Sequence, residues 1–251
     1  NKKESCEYQD LEYPDDCIVD FDMRLIDLFK EMDKKKLTLK MQIRQEYYRV
    51  KELLDGKRPS RMDLFTYMDD DIYRCCVSGS HAKENPFQHY LDFLYELGEL
   101  SEDEQELYAG IGREFIQTIE TTEMQKVYKM PILYSFYNHG NIRLAVTDEE
   151  VLESWKEFFD TGTNWKDFPN VNTYEDYKKV TDKQHLSKAK RMPIRFLKAS
   201  GKGFFVEKNG YALALRDEIG DVVGNMAFGE QMGDVLGYRS LEYYRRRYEK
   251  E

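Results

Sequence analysis

Phe204-Phe205-Val206-Glu207-Lys208-Asn209-Gly210-Tyr211-Ala212-Leu213-Ala214-Leu215 decides the fold class. Two apolar runs flank Asn209-Gly210, a dipeptide whose tolerance of positive φ suits a type I′ turn, so the stretch predicts a β-hairpin. One other segment has a strand period: apolar residues alternate with others through Asn141-Ile142-Arg143-Leu144-Ala145-Val146. Working outward in both directions, the period changes to that of a helix.

Leu39, Ile43, Tyr47, Val50 and Leu54 mark one face of a long amphipathic helix that Asp55-Gly56 ends. Phe21, Leu25, Leu28 and Met32 mark an earlier one. Ser60, with Asp63 three residues on, restarts a helix near Met62. Phe87, Leu91, Leu94 and Leu97 continue the pattern to Gly98. Ser101-Glu102-Asp103-Glu104 and Thr147-Asp148-Glu149-Glu150 spell capping boxes. The first leads into one helix with Leu107, Ile111, Phe115 and Ile119 on a stripe, the second into Val151, Leu152, Trp155, Phe158 and Phe159. Helix is also expected near residues 132–137 and from Val235 to Tyr248, and a loop between Asp160 and Tyr174. The expected fold is α+β, predominantly helical, with a small antiparallel sheet that includes the hairpin near 204–215. Its organisation is an acidic leader over residues 1–20, an N-terminal helical subdomain over 21–80 and a helical domain with the small sheet over 81–251. The boundary falls where Ser78-Gly79-Ser80-His81 interrupts the pattern.

The 251 residues include 19 Tyr and 14 Phe, so aromatic rings must fill much of the core, with tyrosine hydroxyls kept near water or a partner. No apolar run is long enough to span a membrane and no signal peptide is spelled. Cys6, Cys17, Cys75 and Cys76 are few for a disulfide framework, and two are adjacent, which fits reduced thiols and a cytoplasmic location. The chain opens at Asn1 rather than Met, which fits a piece of a longer polypeptide.

Catalytic signatures are sparse. Gly201-Lys202-Gly203 is a fragment of a phosphate loop, but strand-like residues follow it where a helix N-terminus is needed, so it reads as a turn before the hairpin. Cys75, Cys76, His81 and His89 lack the spacing of a zinc chelate. A metal-dependent nuclease needs an acid-x-Lys element; Glu207-Lys208 falls one residue short and Glu123-Met124-Gln125-Lys126 has one too many.

Charge is more informative. The chain carries a net −10, yet Lys178, Lys179, Lys183, Lys188, Lys190, Arg191, Arg195, Lys198, Lys202 and Lys208 face only Asp182 and Glu207 in their stretch, a local +8. Glu84 to Glu106 holds eight acidic residues and no Lys or Arg. Lys188, Lys190, Arg191, Arg195, Lys198 and Lys202, with Phe196, Phe204 and Phe205 among them, are the candidate nucleic-acid contacts: cations for phosphates and rings for unpaired bases. The competing reading pairs these cations with the surplus carboxylates and puts the rings in the core. A second candidate segment is Lys126, Tyr128 and Lys129 ahead of Met130-Pro131.

From about Leu39 to Arg247 the chain resembles the C-terminal region of bacterial DEAD/DEAH-box helicases of superfamily two, the restriction-enzyme-like group. The resemblance lies in Gln45-Glu46-Tyr47-Tyr48, in Gly56-Lys57-Arg58-Pro59-Ser60, and in Glu120-Thr121-Thr122-Glu123-Met124-Gln125-Lys126-Val127-Tyr128-Lys129-Met130-Pro131-Ile132-Leu133. Pro193-Ile194-Arg195-Phe196-Leu197-Lys198, Tyr238-Arg239 and Tyr244-Arg245-Arg246-Arg247 complete it. It implies a non-catalytic accessory region of an ATP-dependent DNA helicase, with DNA and the upstream motor lobes of the same polypeptide as partners. It also implies that ATP and Mg²⁺ belong to those lobes and that this chain has no cofactor of its own. The alternatives are a protein-interaction or scaffolding module that braces the lobes, and a divergent metal-dependent nuclease.

Overall fold

The computed structural model describes residues 37–248; the acidic leader, the helix expected around Phe21 to Met32, and Cys6 and Cys17 lie outside the described residues. Helix α1 (Leu39–Leu53) buries Ile43, Tyr47 and Val50, the face its spacing predicts, and ends at Asp55 and Gly56, both at positive φ. Helix α2 (Arg61–Tyr67) starts on Ser60, whose side chain accepts from the Asp63 amide while Asp63 accepts from the Ser60 amide. Next come α3 (Asp70–Val77), α4 (Tyr90–Leu97) and α5 (Glu102–Ala109), the last opened by the Ser101 capping box.

The stripe through Leu107 and Phe115 belongs to two helices, not one. Gly110 takes an extended conformation (φ −116°, ψ −170°) between α5 and α6 (Ile111–Thr121), yet Leu107, Phe115 and Ile119 remain buried in one core. Helix α7 (Lys129–Tyr137) tolerates Pro131 because it sits in the first turn, where an amide has no intrahelical acceptor. The Thr147 capping box opens α8 (Asp148–Asp160), and α9 (Tyr174–Lys178) and α10 (Asp182–Ala189) follow the expected loop, which holds a short 3₁₀ turn at Asn164–Asp167. A π turn (Lys190–Ile194) joins α10 to α11 (Arg195–Ser200). Pro193 lies inside it, so the ladder loses a donor and the backbone must widen around the ring.

The sheet has three strands in the order β1 (Ala145–Val146), β3 (Leu213–Leu215), β2 (Phe205–Val206), all antiparallel. The first strand is shorter than the 141–146 alternation predicts. The Asn141 and Arg143 amides are spent on Asn138 and Phe136 carbonyls at 3.0 and 2.8 Å, which ties this segment back to α7 before it reaches β3. The hairpin forms, but not on a type I′ turn. Phe205 pairs with Leu215 and Val206 with Ala214, which centres the connection on Gly210. The Tyr211 amide donates to the Lys208 carbonyl at 3.1 Å, and only Gly210 (φ 85°) is left-handed, the pattern of a type II turn.

Helix α12 (Met226–Tyr248) is longer than the expected 235–248 and packs against α2, α5, α6 and α7. It bridges two core clusters. One gathers Ile43, Tyr47, Val50, Leu64, Ile72, Phe87 and Leu94 around Tyr238, which stacks on Phe87 with ring centroids 4.7 Å apart. The other holds Phe115, Met130, Phe136, Trp155, Phe159, Leu213, Phe228 and Leu236. Several buried tyrosine hydroxyls find partners: Tyr128 donates to the Asp167 carbonyl (2.8 Å), Tyr243 to its carboxylate (2.9 Å), and Tyr90 to the Pro59 carbonyl, whereas those of Tyr47 and Tyr177 meet no hydrogen-bond partner among the described residues.

Gly201 closes α11 where the chain bends into the hairpin. A Cβ there would lie 2.5 Å from the Leu197 carbonyl oxygen and collide with the Phe205 ring. Gly201→Ala is therefore expected to cost about 1–3 kcal/mol by overpacking, measured as a lower urea midpoint with an unchanged slope.

Candidate nucleic-acid interface

Two segments far apart in sequence meet beneath this bend. The end of α6, the loop through Thr122 to Tyr128 and the start of α7 form one wall of a groove of about 550 Å³; α10, the π turn, α11 and the corner after Ser200 form the other. Lys126 and Lys129 line the first wall and Lys188 and Lys202 the second, with Glu123 the one acidic residue lining the groove among the described residues. Lys188, Met192, Phe196 and Ser200 recur every four residues and so share the helix face turned to the groove. Phe196 and Met192 are 45 % and 39 % exposed, whereas Phe204 and Phe205 are buried and belong to the core.

The four lysines differ in what holds them. Lys126 pairs with the buried Asp167 carboxylate at 2.9 Å. Lys188 lies over the Tyr128 ring, its nitrogen 5.0 Å from the centroid; burial lowers its pKa, and Arg191 and Lys126 push the same way. Lys202 is exposed, at φ 49°, one of few non-glycine residues in the left-handed region; the following Gly203 is at 78°. The Phe204 amide closes this corner onto the Gly201 carbonyl at 2.8 Å, the turn the sequence suggests in place of a phosphate loop.

Lys129 is only 8 % exposed. Its ammonium donates to Thr122 Oγ1 at 3.0 Å and Ser200 Oγ at 3.4 Å, so hydroxyls from both walls hold it. Burial holds its pKa below the usual lysine value; Glu123 opposes that shift and Arg239 reinforces it. Arg239 stands behind the wall, donating to the Thr122 carbonyl at 2.5 Å, with burial lowering its own pKa.

The six candidate contacts thus fall into three pairs. Lys188 and Lys202 line the groove. Arg191 and Arg195 are exposed next to the groove-facing positions and enter no ion pair among the described residues. Lys190 and Lys198 are held by carboxylates, Lys190 by Asp148 at 2.8 Å and Lys198 by Glu207. The basic stretch is therefore not one bare ribbon. Helical rotation turns part of it to the groove and part of it to acidic neighbours, so neither a wholly bare nor a wholly paired stretch describes it.

No family model, curated protein or solved structure matches the chain. Among the described residues no three His, Cys, Asp or Glu side chains are grouped to hold a metal ion, and no helix is long and apolar enough to cross a membrane. His81 pairs with Glu84 and His89 bonds Gln117, each at 2.8 Å; Cys75 and Cys76 are free thiols.

Proposed function

We propose that this groove engages nucleic acid, and that the chain acts as a non-catalytic accessory region of an ATP-dependent DNA helicase, the role its resemblance implies. The observation that carries the reading is the meeting of Lys129, Lys188 and Lys202, none in an ion pair among the described residues, around a groove whose lip presents Phe196 and Met192. Cations without carboxylate partners serve phosphates, and an exposed ring beside them serves a base. Arg191 and Arg195 extend the positive surface beyond the lip.

Fluorescence anisotropy with labelled DNA tests this. About four phosphate contacts should weaken binding by roughly a hundredfold between about 50 and 200 mM salt. Absence of binding at the lower salt would leave the chain a bracing role against the motor lobes.

A further inference from the structure

We propose, resting on the nucleic-acid reading above, that the groove seats one unpaired nucleotide of a single strand, with its phosphate on the Lys129 ammonium and its base against Phe196.

The protein leaves the Lys129 charge incompletely compensated. A buried ammonium is costly unless an anion or several acceptors replace its water. Lys129 has two hydroxyl acceptors for three N–H donors and, among the described residues, no carboxylate within ion-pair range. The Ser200 hydroxyl hydrogen is already spent on the Phe196 carbonyl at 2.7 Å, so Ser200 offers Lys129 a lone pair and cannot itself donate to an anion. Lys188 and Lys202 on the facing wall, and Arg239 behind Thr122, add positive potential around the same point. A phosphodiester is a single negative charge with free oxygens, which matches one ammonium that lacks one acceptor.

Size and shape select the form of the nucleic acid. A groove of about 550 Å³ falls in the range, roughly 300–1,000 Å³, of sites that enclose one small organic body. A base reaches such a site only when it is out of the stack. Phe196 and Met192 supply the apolar surface on which an unstacked base can lie, and stacking of this kind is tolerant of sequence.

The test compares labelled oligo-deoxythymidine with a duplex of equal length, using the full chain and its Lys129→Met and Phe196→Ala variants. The single strand should bind more tightly than the duplex. Lys129→Met should lose about tenfold on the single strand, the scale of one charge-assisted hydrogen bond, while its melting temperature holds or rises because a buried charge has gone. Phe196→Ala should lose about tenfold on the single strand with the salt slope unchanged. Tighter duplex binding, or a Lys129→Met protein that melts lower and binds the single strand as before, overturns the inference but leaves the nucleic-acid reading standing. Failure of both DNAs to bind at low salt removes both. Should Lys129→Met not fold, Phe196→Ala decides alone, because its ring is on the surface.

Discussion

Arg61→Ala is expected to destabilise the protein by about 3–5 kcal/mol, the cost of stranding buried charges without their partner. Arg61 has no exposed surface. Its guanidinium donates to Glu120 Oε1 at 2.5 Å, Asp234 Oδ2 at 2.8 Å and Gln231 Oε1 at 2.7 Å, and lies 4.5 Å from the centroid of the Tyr90 ring. Asp234 also accepts from the Arg61 and Met62 amides, so a carboxylate of α12 caps the first turn of α2, where the helix dipole favours negative charge. Glu120 accepts from the Tyr90 amide at 3.1 Å as well. Through Gln231 the network reaches Glu104 and its partner Arg58. One side chain therefore ties α2, α4, α6 and α12 together at the junction of the two cores. Alanine would leave the Glu120 and Asp234 carboxylates without the guanidinium that both accept from. The triple variant Arg61→Met, Glu120→Gln, Asp234→Asn, which removes the charges together, should recover much of the loss. Urea denaturation of the two proteins checks this, and an alanine cost below about 1 kcal/mol would contradict it.

Sequence reading failed at Arg61 for a physical reason. Arginines are seldom fully buried, and the motif Arg58-Pro59-Ser60-Arg61 contains no local sign that its acceptors come from residues 120, 231 and 234. Signals that close within one turn were legible. Ser60, Ser101 and Thr147 each cap as their spacing says, because donor and acceptor lie three residues apart. The pattern starts α12 at Val235 rather than Met226 because Gly229 and Gly233, in the stretch left out, look like helix breakers. Gly233 instead lets α12 pack closely on α7: a Cβ there would fall 2.5 Å from the Tyr137 hydroxyl, and that ring would have to move aside. The strand at 141–146 and the Asn209-Gly210 turn were only half legible. Their chemistry is local, but their register is set by β3 and by α7. The groove has the same limit: both of its lysine segments could be singled out, while their meeting through Lys129 and Ser200, 71 residues apart, is a property of the fold alone.

That fold makes the cations of the basic stretch unequal, so charge reversal should separate them. Lys188→Glu with Lys202→Glu is expected to weaken DNA binding by about 3 kcal/mol, roughly a hundredfold, since each change removes a charge-assisted contact at the groove. The dependence of log K on log salt should flatten by nearly two, one phosphate contact for each lysine. Lys190→Glu with Lys198→Glu makes the same change in net charge, but these ammoniums are directed to Asp148 and Glu207. The Glu207 carboxyl, its pKa lowered by the hydrogen bond from Lys198, would lose that partner, at the small scale of an exposed pair. Binding in this second variant should fall only a few fold, through the general field, which salt screens over about 10 Å at 0.1 M. The two variants are thus matched in charge and differ in whether the cation faces the groove. Equal losses and equal salt slopes would mean that affinity follows net charge and that the groove has no special part in it. A larger loss in the Lys190 and Lys198 variant would move the interface to the face of the π turn and α11 that carries these two lysines.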